Sequence, residues 1–159
     1  MTNLPQSIHD LAEFPALEDV GLAVLRPALE LPVRTLIPDQ LDVFPFVLVR
    51  GNHTAMGWGG QERFVDRGVL AVHTFTDGPE ADDDGARLSE AIRVILREAA
   101  KRKVRIDDRN HLHRVTMTSR PRRVSDWATS QGPVQYADLP TGVQRYESLY
   151  RVTVRHRGP

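Results

Sequence analysis

Histidines, a run of aspartates and a glycine-rich stretch are the residues of this chain with which chemistry could be done, and such chemistry needs each of them in a definite pattern. The alternation around His111 and His113 puts both imidazoles on one face of a strand, where they could chelate a metal as a pair, but no third ligand lies nearby in sequence. The six histidines fall into no H-E-x-x-H or comparable spacing. His73 sits in an apolar run, where a histidine satisfied inside the core is expected. Asp82, Asp83 and Asp84 offer carboxylate oxygens to a hard cation, yet three adjacent side chains at a helix start diverge, and the positive end of the helix dipole accounts for them. Asp107 and Asp108 read as a turn. Gly57-Trp58-Gly59-Gly60 is followed by neither a lysine nor a helix and is not a phosphate loop. No serine carries a G-x-S-x-G signature, and the absence of cysteine removes thiolate zinc sites, cysteine nucleophiles and disulfides together. The expectation is a protein without cofactor or metal that is not an enzyme.

The elements that would position these residues are punctuated by proline and glycine. Leu17, Val20, Gly21, Val24 and Ala28 recur at helical spacing after Pro15, and Pro27 should end that helix or kink it. Val33 to Ile37 reads as a short strand and Phe46 to Val49 as a second. The span from Gly51 to Gly60, with four glycines, reads as an exposed loop. Phe64 to Thr76 is apolar on both alternating faces, the pattern of a strand buried on two sides. Pro79 suits the first turn of a helix in which Leu88, Ile92, Ile95, Leu96 and Ala99 form one stripe, running to about Lys103. His111 to Arg120 and Tyr146 to Arg155 alternate as strands; Pro121 should interrupt the first, leaving 122–142 as a long loop or hairpin arm. The order α-β-β-β-α-β-β predicts an α+β fold, a mainly antiparallel β-sheet packed by two helices. All 159 residues are expected in one domain, with 1–15 a flexible amino-terminal segment.

Formal net charge is zero, so no global field steers the protein to nucleic acid or to an anionic membrane. No stretch is apolar enough to span a bilayer, and membrane partners are not expected. Along the chain, however, charge is uneven. Arg97, Lys101, Arg102, Lys103, Arg105, Arg109, Arg114, Arg120, Arg122 and Arg123 crowd the second half, while Asp10, Glu13, Glu18, Asp19, Glu30, Asp39 and Asp42 dominate the first. Opposed charge suits head-to-tail association of copies in a closed ring; an ordinarily solvated surface is the plainer reading. Trp58 and Trp127 fall in expected loops, either as anchors for a partner or folded back over their own domain.

Several segments, taken in order, resemble the tail terminator, or tail completion, proteins of siphophages. They are Pro45-Phe46-Val47-Leu48-Val49-Arg50 before a glycine-bearing loop, Arg63-Phe64-Val65-Asp66-Arg67 leading into a strand that ends in Phe75, the helix segment Ala86-Arg87-Leu88-Ser89-Glu90-Ala91-Ile92, and Arg145-Tyr146 opening the last strand. The resemblance spans Leu17 to Arg155 and implies a hexameric ring that caps the tail tube, ends its polymerisation and presents a joining surface to the head connector. It further implies tail tube protein and head-tail connector protein as partners, DNA passing through the ring, and a place at the head-proximal end of the virion tail after assembly in the host cytoplasm. The candidate interaction surface is then Trp58, Arg63, Arg114, Arg120, Arg122, Arg123 and Trp127. Alternatives are another neck completion protein joining head to tail, or a small DNA-binding or DNA-processing factor.

Overall fold

Val65–Thr76 is the central strand of a sheet, and its residues from Gly68 to Thr76 are buried at both alternating positions. The computed structural model describes residues 3–37, 42–52, 64–124 and 142–156. Within them the elements are α1 (Gln6–Leu11), α2 (Leu17–Leu25), β1 (Val33–Arg34), β2 (Phe46–Asn52), β3 (Val65–Thr76), α3 (Ala81–Lys101), β4 (Asn110–Arg123) and β5 (Gln144–His156). The five strands form one mixed sheet in the order β1-β2-β3-β5-β4, antiparallel except for the β1–β2 pair. This is the α+β arrangement expected from the sequence, with helices on an almost wholly antiparallel sheet.

Helices α2 and α3 pack on one face of that sheet. Leu17, Val20, Val24 and Leu25 of α2 join Ile92, Leu96 and Ala99 of α3 over Val47, Val49, Leu70, Val72, Tyr150, Val152 and Val154. Gly21 lets α2 approach closely, since a Cβ there would lie 3.2 Å from both Leu70 and Val49. Helix α2 ends at Leu25, two residues before Pro27. The end of α3 is capped by a reversal in which Lys103 takes φ 53° and the N–H groups of Lys103 and Val104 donate to Ala100 O and Ala99 O. Because successive residues of a strand point to opposite sides, the other face carries Phe46, Leu48, Phe75 and, in the same rows, His73, Arg145 and Glu147. Phe46 and Phe75 are register partners and stack at 4.5 Å between ring centroids.

Four local expectations need correction. The strand expected over Val33 to Ile37 covers only Val33–Arg34, and Ile37 instead packs with Phe46, Leu48 and Phe75. Gly51 and Asn52 continue β2 rather than opening a loop; 53–60 lie outside the described residues. A helix not expected from sequence, α1, occupies part of the amino-terminal segment and buries none of its residues. Pro121 does not interrupt its strand, and Arg122 and Arg123 belong to β4 rather than to the arm. Proline is tolerated there because β4 is an edge strand and is bulged: between Ser119 and Arg122 two residues oppose one of β5. Two further bulges fall at Leu112/Arg114 and Met117/Ser119. The rest of the expected arm, 125–141, lies outside the described residues.

Candidate interaction surface

The sequence rule that residues two apart share a strand face brings four charged or titratable groups from three strands together. Register places His73 on β3 opposite Glu147 on β5, and Glu147 opposite Arg122 on β4. Arg145 follows on the same face of β5, two residues from Glu147. His73, Arg145 and Glu147 are all buried, the last two almost completely. Arg145 Nε donates to His73 Nδ1 at 3.3 Å, which leaves the ring proton on Nε2. Glu147 Oε1 accepts from Arg122 Nη2 at 3.1 Å, and Glu147 Oε2 lies 3.7 Å from Arg145 Nη2.

Burial, then the charges of Arg145 and Arg50, pull the pKa of His73 down to about 3. The 3.7 Å approach of its Nδ1 to Glu147 Oε2 is therefore not an ion pair at neutral pH. Glu147 balances arginines instead. Burial also lowers Arg145 to about 10, against the pull of Glu147, so it stays cationic at neutral pH. Arg50 donates to Thr35 O at 2.9 Å and ties β2 to the segment after β1. A buried set of this kind adds little net stability compared with apolar side chains, but it fixes register, because any slip would leave a charge unmatched.

This set lies at the root of the connection between β4 and β5. Val124 N donates to Arg145 O at 2.9 Å, closing the ladder at its last described rung. On the helix-covered side, Tyr146 Oη donates to Asp82 Oδ1 at 2.8 Å and Arg123 Nη1 stands 3.7 Å from the same oxygen. Asp82 in the first turn of α3 thus meets a tyrosine, an arginine and the helix dipole.

The candidate surface residues are distributed as follows. Arg114 and Arg120 are exposed along β4. Arg122 and Arg123 point to opposite faces, each toward a carboxylate. Trp58, Arg63 and Trp127 lie outside the described residues. The charge separation seen along the chain is not a separation in space at one end of the molecule: Glu13 O accepts from Asn110 Nδ2 at 2.9 Å and Phe14 packs edge-on against His156. The acidic amino-terminal segment therefore meets the strand ends that follow Arg105 and Arg109. His111 and His113 lie with ring centroids 6.3 Å apart, and no cluster of three or more metal-ligating side chains occurs among the described residues. No helix among the described residues is long and apolar enough to cross a membrane.

Sequence reasoning did not connect Arg145 and Glu147 with His73. The period-two pattern of β5 put both on one face, but only the β3–β5 register, invisible in a single sequence, sets His73 beside them. No protein-family model and no curated protein matches the chain.

Proposed function

We propose that the protein is a structural assembly subunit of the tail-terminator type, one that closes into a ring on the tail tube of a long-tailed phage, ends tube polymerisation and offers the joining surface to the head. The resemblance in Leu17 to Arg155 motivates the reading, and six subunits is the number that it implies. The observation that carries it furthest is β4: fourteen residues long, it forms one edge of the sheet, whereas the other edge, β1, has two. A ring subunit needs a lateral surface that meets a different surface on its neighbour. A long edge strand with exposed Arg114 and Arg120 supplies charge to set register, and its bulges and Pro121 discourage indiscriminate strand pairing.

Reversing Arg114 and Arg120 to Glu tests this. Arg122 and Arg123 are left in place because each already faces a carboxylate, and their reversal would unbalance Glu147 and Asp82. The double variant should keep its circular dichroism and melting temperature while failing to assemble and to join heads to tails. Normal assembly and infectivity would overturn the role of β4.

A further inference from the structure

The face of the sheet opposite α2 and α3 changes character along its length. Beyond the apolar and buried charged zones, register sets three rows side by side across β3, β5 and β4: Val65, Arg155 and His111; Arg67, Thr153 and Arg114; Val69, Arg151 and Thr116. Arg67, Arg114, Arg151 and Arg155 are exposed. Thr153 and Val69 are buried beneath them. With strands ~4.8 Å apart and a rise of ~3.3 Å per residue, Arg67 and Arg114 stand about 10 Å apart across the sheet, and Arg151 and Arg155 about 13 Å apart along it.

These four share one face of the sheet, and that face sets no carboxylate beside any of them. Arg93, Arg97, Arg105, Arg122 and Arg123 each lie within 4.0 Å of a carboxylate, whereas among the described residues Arg67, Arg114, Arg151 and Arg155 do not. Lys103 adds to the field, its Nζ donating to His113 O at 2.7 Å, and burial, then the charges of Lys103, Arg155 and Arg114, hold the His113 imidazole below its usual pKa.

We propose that this face binds the phosphate backbone of double-stranded DNA. Phosphates are recognised by arginine forks held at fixed spacing, and a strand framework holds them so. A protein partner is gripped chiefly through aromatic and aliphatic anchors, and single-stranded nucleic acid through stacked aromatic rings. Apart from the His111 imidazole the three rows contribute no aromatic ring, and their aliphatic members lie among the arginine stems. The inference stands on this face alone and does not require the ring.

The test is binding of the full-length protein to a fluorescent duplex of mixed sequence across a salt series. Four phosphate contacts predict that the logarithm of affinity falls with the logarithm of salt with a slope of about −3 to −4 per subunit engaged. The triple variant Arg67→Ala, Arg151→Ala, Arg155→Ala should weaken binding at low salt by at least about tenfold and flatten the slope, while the corresponding lysine variant retains binding. A control, Arg87→Ala on α3 with Arg102→Ala at the residue after its end, should bind as the wild type does. Unchanged affinity of the triple alanine variant, an equal loss in the control, or equally tight binding of polyglutamate would overturn the proposal. The triple variant keeps Arg114 and Arg120, so its oligomeric mass reports on the assembly reading separately.

Discussion

Acidification from pH 7 to pH 5 should cost the wild-type protein about 2 kcal/mol more stability than it costs the His73→Gln variant. In the unfolded chain His73 titrates at its ordinary value of 6.5; in the folded protein burial and the arginines nearby hold it to about 3. Below pH 6.5 the unfolded state therefore binds more protons, and stability falls with pH at up to about 1.4 kcal/mol per unit. The contribution of the neutral ring is fully present above 6.5 and is lost progressively as the pH falls toward 3. Carboxylates that titrate over the same range are common to both proteins and cancel in the comparison. Glutamine keeps an acceptor for Arg145 Nε, so the variant should fold. Urea unfolding of both proteins at pH 7, 6 and 5 gives the difference directly. Parallel pH profiles would refute the burial of a neutral His73 between Arg145 and Glu147.

Ile92 is completely buried against the sheet, so Ile92→Ala should lower stability by about 2–5 kcal/mol in urea unfolding. Glu147→Leu should cost roughly 3–5 kcal/mol, because Arg145 is left charged and buried, and adding Arg145→Met should restore most of the loss. Gly85→Ala should destabilise by about 1–3 kcal/mol although alanine is the better helix former, since its Cβ would stand 2.7 Å from the Tyr146 ring; thermal melts of the two proteins decide it.

Much of the fold was legible because its strongest elements obey a single periodicity. The stripe Leu88, Ile92, Ile95, Leu96 and the doubly apolar Phe64 to Thr76 each identified an element and the faces it buries. Where tertiary context overrides local chemistry the reading failed. Pro121 stays within a strand because an edge bulge accepts it, and Lys103 takes the left-handed conformation that glycine would signal. The candidate surface was harder still. Arg120, Arg122 and Arg123 are neighbours in sequence, but alternation and pairing send Arg122 to Glu147 and Arg123 to Asp82. Conversely, Arg67, Arg114, Arg151 and Arg155 are scattered along the chain and share a face only through the register of three strands.

The proposed closed ring is tested most directly by the mass of the native particle. Measured by native mass spectrometry or light scattering, alone and with tail tube protein, the assembly should have six times the 17.9 kDa of the chain. A species that stays at 17.9 kDa at every concentration and in the presence of tail tube would contradict the account.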